Sequence, residues 1–166
     1  MNKVKLKDIC NIKGRIGWKG YTTEDLCNSG PYVFGANEIT SDNKISLKDV
    51  KHITREKYEE SPEIMIHEND ILVVKVGNTI GKVAILDEDY GEVTINPNCV
   101  SLQNIKVNPY YLYYFLCTKY AKSFLVNHAT ASAQPALSQN DLKELIVVIA
   151  KDELKIANVL KNIDKK

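Results

Sequence analysis

Between residues 71 and 102 the chain is a succession of short branched apolar runs, each broken by glycine, asparagine or proline. Branched side chains pack well on a pleated strand and lose rotamer freedom in a helix. Glycine and proline at this spacing leave no room for a long element. The middle of the chain therefore predicts short strands at 71–76, 82–86, 93–96 and 99–102. Hairpin-like turns link them, with the last two joined at Pro97.

The flanking segments add helices and further strands. A short helix is expected over 5–11, and a second from Thr22 or Thr23 through Asn28, stopped by Asn28-Ser29-Gly30-Pro31. Residues 32–35 and 50–53 read as strands, and 54–61 as a polar helix ended by Pro62. Apolar positions Leu112, Phe115, Leu116, Tyr120 and Phe124 predict a single helix over 110–126, with Pro109 suited to its first turn. Ser138 caps a short helix, residues 145–149 form a last buried strand, and 152–164 a final helix. The apolar stripe of that final helix needs a partner in this domain or another chain, because so short a helix is marginal alone. This order of elements predicts an α+β fold: a mixed, largely antiparallel twisted sheet of short strands with flanking helices.

The chain has 166 residues, 44% hydrophobic and 26% charged, which fits one soluble globular domain. Its longest apolar run, 145–150, is far short of the roughly 20 residues a membrane span needs. Residues 1–7 carry charge with no apolar stretch behind them, so a cytoplasmic chain without a secretory signal is expected. Cys10, Cys27, Cys99 and Cys117 include no closely spaced pair, which predicts reduced thiols rather than a zinc site or disulfide framework. Net charge is only +1. Residues 1–23, however, hold six bases and one acid, whereas 24–70 hold five bases and eleven acids. That asymmetry permits one positive face, although an evenly mixed surface accounts for the same numbers.

Catalytic and cofactor patterns fail on inspection. Gly77-Asn78-Thr79-Ile80-Gly81-Lys82 is one residue too short between its glycines for a phosphate loop, and Val83 stands where Ser or Thr is required. His52, His67 and His128 lack a second ligand at metal-binding spacing. Asp87-Glu88-Asp89 lies between strands and reads as a solvated turn. No nucleophile elbow or methyltransferase motif is present, so no catalytic residue, metal or cofactor is expected.

What remains is a set of loops rich in amides and cations. Arg15, Trp18, Lys19 and Tyr21 share one glycine-rich loop. Asn78 and Thr79 tip a hairpin with Lys75 just before it. Asn96 and Asn98 flank Pro97, and Ser132 and Gln134 occupy a further loop. Arg and Lys pair with guanine edges, and Asn and Gln with adenine edges. The same residue types are also ordinary turn formers. Composition alone leaves that plainer account ahead.

Taken in order, these stretches resemble a target-recognition domain of the specificity subunit of type I restriction–modification systems. The resemblance runs through Lys5-Leu6-Lys7-Asp8-Ile9-Cys10, the loop 15–21, and Asn69-Asp70-Ile71-Leu72. It continues through the hairpin 75–83, Thr94-Ile95-Asn96-Pro97-Asn98 and Tyr111-Leu112-Tyr113-Tyr114-Phe115-Leu116. It ends with Ser132-Ala133-Gln134-Pro135-Ala136-Leu137-Ser138 and a terminal helix similar to the start of the family's spacer helix. Asn69 and Ala131 stand where glycine is usual, and the motif before the last helix is altered.

The resemblance implies a DNA-reading domain over 1–150 and a truncated spacer helix over 151–166. Such a domain reads one half of a split site in double-stranded DNA. It has no catalytic role of its own. It places a methyltransferase subunit, which uses S-adenosylmethionine, and a restriction subunit on the DNA. The chain holds one recognition domain where the family has two, so residues 152–166 are expected to meet a second recognition domain or a second copy. Two alternatives remain: a recognition domain from a fused restriction–methylation enzyme, or a protein-binding decoy of a specificity subunit.

Overall fold

The computed structural model describes residues 1–15, 20–131 and 134–164. Its centre is a four-stranded antiparallel sheet in the order β2 (Asn11–Lys13), β9 (Cys99–Gln103), β6 (Ile71–Val74), β7 (Val83–Ile85). Both faces of this sheet are covered, which is why β6 is an unbroken apolar run rather than an alternating one. Ile71 and Val73 face a core built with Leu6, Leu112, Leu116 and Leu125. Leu72 and Val74 face a second core with Phe34, Ile64, Ile66 and Ile95.

Helices supply the first cover and another sheet the second. The helical layer comprises α1 (Leu6–Ile9), α3 (Pro109–Cys117), α4 (Lys119–Asn127) and α5 (Gln139–Lys143). The second sheet has the order β4 (Lys51–Ile53), β3 (Leu26–Phe34), β8 (Val93–Ile95), β5 (Met65–Ile66). Within it β3 and β8 are parallel and the other pairs antiparallel. Helix α2 (Arg55–Glu59), capped by Thr54, follows β4. A separate ribbon joins β1 (Asn2–Lys5) to β10 (Ile146–Ile149), pairing the first strand with the last. The mixed, largely antiparallel α+β architecture agrees with expectation, but the strands form three sheets rather than one.

Several local expectations change. The segment after Thr22 makes one 3-10 turn, Thr23–Asp25, and then enters β3 instead of continuing as a helix. Pairing with β4 and β8 overrides the local helix signal. Gly30 and Pro31 do not end the segment. They mark an irregularity in β3, where the register against β4 shifts between Cys27 and Tyr32 and Gly30 takes a φ of 144°. β8 and β9 are not a hairpin either. Across Asn96-Pro97-Asn98 the chain passes from the outer sheet to the central one.

The long helix expected over 110–126 is two helices. Thr118 is extended (φ −65°, ψ 153°), and its hydroxyl donates to Phe115 O (2.6 Å) and accepts from Ala121 N (3.3 Å). One residue thus ends α3 and caps α4. Leu112, Leu116, Ala121 and Leu125 still face one core, whereas Tyr120 of the expected stripe is 54% exposed.

The last helix, α6 (Glu153–Asp164), lies against α3. Lys161 sits 3.7 Å over the Tyr110 ring, and Asp164 accepts from Lys44 (2.5 Å) and Tyr114 (3.3 Å). Of its stripe only Ala157 is buried; Leu154, Val159 and Ile163 remain more than half exposed, at 60%, 52% and 63%.

Candidate nucleic-acid interface

Three segments meet at one end of the central sheet, with the first residues after β2 beside them. Lys75 N donates to Asn98 O (2.8 Å), and Lys75 O accepts from Leu137 N (2.8 Å). Gly77 N donates to Pro135 O (2.9 Å), beside a bridge between Val76 and Ala136. The hairpin 75–82, the crossing 96–98 and the segment 130–137 are therefore tied together through main-chain groups. Inside the last, Ala136 O and Thr130 N pair (3.0 Å), and the Thr130 hydroxyl accepts from Ala136 N (3.2 Å).

Gly14 and Arg15 join them from β2. Gly14 lies so close to the Gln139 side chain and Cys99 O that an added Cβ would fall 2.8 Å from Gln139 Nε2. Arg15 is turned inward and is 6% exposed. Its Nε donates to Ile95 O (3.0 Å), one guanidinium nitrogen lies 3.4 Å from Thr94 Oγ1, and the Tyr21 ring stands 5.7 Å from its centre. Burial pulls the guanidinium below its ordinary pKa, and burial, with Glu38 adding, pushes the Tyr21 hydroxyl up.

The sequence-derived residues divide by exposure. Asn78, Thr79, Asn98 and Gln134 are exposed, and Lys75, Asn96 and Tyr21 half-buried. Asn96 packs against Gly35, and its Oδ1 accepts from Asn98 N (3.0 Å), so its side chain shapes the turn. Arg15 is buried beneath the loop rather than displayed on it. Trp18, Lys19 and Ser132 lie outside the described residues.

Charge separates along the central sheet. The segments 13–21, 75–82, 96–98 and 130–137 contain no aspartate or glutamate, and the first two carry Lys13, Arg15, Lys19, Lys75 and Lys82. At the opposite ends of β6 and β7 lie Asp70, Asp87, Glu88 and Asp89. Glu38 stands behind the loop end of β3. It is buried, accepts from Gly35 N (2.8 Å), and is pushed up in pKa by that burial. Among the described residues no group of three histidine, cysteine or acidic side chains could hold a metal. Cys10 and Cys99 are buried thiols, each pushed up to about 12 by desolvation.

A family model for the type I restriction modification DNA specificity domain matches residues 1–166. The chain belongs to this family. No curated protein sequence matches the specificity domain. Solved structures do match. The S subunit of a type I restriction–modification system from M. genitalium is 17% identical with a TM-score of 0.65, covering 99% of this chain and 39% of that one. The HsdS subunit from Thermoanaerobacter tengcongensis is 15% identical with a TM-score of 0.69, covering 99% and 37%. The type IIG restriction endonuclease BpuSI is 12% identical with a TM-score of 0.67, covering 96% and 26%. These likenesses show the fold, and the specificity domain spans about two fifths of the two S subunits.

Two residues of this domain's loop end were not singled out from sequence. Gln139 abuts Gly14 at the start of α5, and Glu38 backs the outer sheet. Gln139 follows the helix cap Ser138, so its helical position was legible. Its neighbour was not, because Gly14 lies at the other end of the chain.

Proposed function

We propose that this specificity domain reads one half of a split site in double-stranded DNA. The observation that carries this reading is the convergence of the hairpin 75–82, the crossing 96–98 and residues 134–137, free of acidic residues and laced by main-chain hydrogen bonds, at one end of the central sheet. Rigid main-chain ties hold exposed amides in register, as base-edge recognition requires. Asn78, Thr79, Asn98 and Gln134 face the major groove. Trp18, Lys19 and Ser132 complete the DNA-contacting set. Lys75, Asn96 and Tyr21 support it from below, and Arg15 ties the chain after Gly14 to β8.

Residues 1–150 form the recognition body, and α6 begins a spacer in 151–166. The domain performs no chemistry itself. It acts in the cytoplasm, placing methyltransferase and restriction subunits on the DNA, and the exposed stripe of α6 meets a second recognition domain or a second copy. The similarity to BpuSI favours one further reading, a recognition domain within a single-chain restriction enzyme. A catalytic region upstream in the same gene would establish it.

The test is selection of bound duplexes from a randomised pool at low salt, with and without the cognate methyltransferase subunit. Enrichment of a short motif supports the reading and names the half-site. Partner binding without enrichment in either condition overturns it in favour of a decoy.

A further inference from the structure

Beside the loop end lies a basic concavity of about 220 Å³, walled by Lys7, Cys10, Asn11, Ile12, Lys13 and Lys143. Its lysines come from three elements that the fold brings together. Lys13 ends β2 and pairs with Ser101 of β9. Lys7 belongs to α1 and Lys143 to α5. Gln139, which touches Gly14, lies one helical turn before Lys143, so both stand on one face of α5. The concavity therefore lies next to Gly14, which follows Lys13.

No carboxylate is among its described lining residues. The nearby acids are already engaged. Glu144 bridges Lys5 (2.5 Å) and Lys7 (2.8 Å), and Asp8 accepts from the Lys5 main-chain N–H (3.3 Å). Lys106 donates to Asp8 O (3.0 Å), adding a cation beside α1. Lys143 meets only the neutral amide of Asn140 among the contacts described for it (3.2 Å).

We infer that this concavity seats a backbone phosphate of the DNA, with Lys13 and Lys143 as its charged contacts and Lys7 held in place by Glu144. The inference rests on the DNA-reading function above. It adds an anchor that carries no sequence information but fixes the register in which Asn78 and Gln134 meet base edges. Lysine suits the task as a compact point charge on a flexible stem.

Lys13→Gln and Lys143→Gln test this in the full chain, using a duplex enriched in the pool selection and the same duplex with one base pair exchanged. Each lost phosphate contact lowers the slope of log affinity against log salt by about 0.9. Over a tenfold rise in salt, each variant should then lose roughly eightfold less affinity than wild type. Both duplexes should weaken equally, and thermal unfolding should be unchanged. Wild-type binding with unaltered slopes in both variants overturns the phosphate seat and leaves the reading function standing. A change in preference between the duplexes makes these lysines base contacts and also overturns it. Failure of wild type to bind any duplex, with or without its partner subunit, overturns the reading function and the seat with it.

Discussion

Arg15 Nε donates to the carbonyl oxygen of Ile95 at 3.0 Å, joining the loop after the second strand to the end of a strand in the other sheet. Arginine in a glycine-rich loop of a DNA-reading domain invites assignment to a guanine edge. Here its planar guanidinium is buried, and it satisfies main-chain and hydroxyl acceptors inside the fold. It ties the chain after Gly14 to the end of β8.

Arg15→Ala should therefore behave as a structural lesion. It leaves Ile95 O without this donor, at a cost of about 1–3 kcal/mol. Thermal unfolding should shift downward, and affinity should fall without any change in base preference. Arg15→Lys should not restore it, because an ammonium lacks the fork that reaches both acceptors. A relaxed preference at one base position, with unchanged stability, would instead make Arg15 a reader.

Asn78→Ala should do the reverse. The side chain is exposed at a hairpin tip, so stability should change by less than about 0.5 kcal/mol. Discrimination at one base pair should fall by about 1–3 kcal/mol. Repeating the pool selection with the variant checks this. An unchanged enriched motif would remove Asn78 from the reading set.

Thr118→Ala should destabilise the junction between α3 and α4. It removes the hydroxyl that accepts from Ala121 N while ending α3. Loss of such a cap costs about 0.5–2 kcal/mol, readable in chemical denaturation. Thr118→Ser, which keeps the hydroxyl, should recover most of the loss.

Glu144 should contribute to acid sensitivity. Hydrogen bonds from Lys5 and Lys7 hold its carboxyl down at about 2, from an ordinary 4.5. A depressed carboxyl stabilises the fold above its unfolded-state pKa, and that contribution fades as pH falls towards the folded value. The difference in melting temperature between wild type and Glu144→Gln should accordingly shrink as pH is lowered from above 4.5 towards 2. A difference that grows on acidification would contradict the ion-pair account.

Much of the fold was legible because the signals were local. Branched residues marked β6 and β7, the run 146–149 marked β10, and Ser138 marked the start of α5. Each depends on near neighbours alone: rotamer freedom, alternation, or a hydroxyl within reach of a free N–H. The apolar period of α6 was equally plain, and so was its need for a partner; that only Ala157 of its described residues is buried is a finding of the structure.

The sequence by itself determined where short strands and helix caps lie and which loops carry amides and cations. Tertiary structure decided the rest. It made residues 26–34 a strand because β4 and β8 were there to pair with them, and it joined β1 to β10 across the length of the chain. It turned Arg15 inward and gathered Lys7, Lys13 and Lys143 around one concavity. The physical reason is separation. A propensity is set within a few residues, whereas burial, pairing and the field around a charge depend on whatever distant chain folds against it.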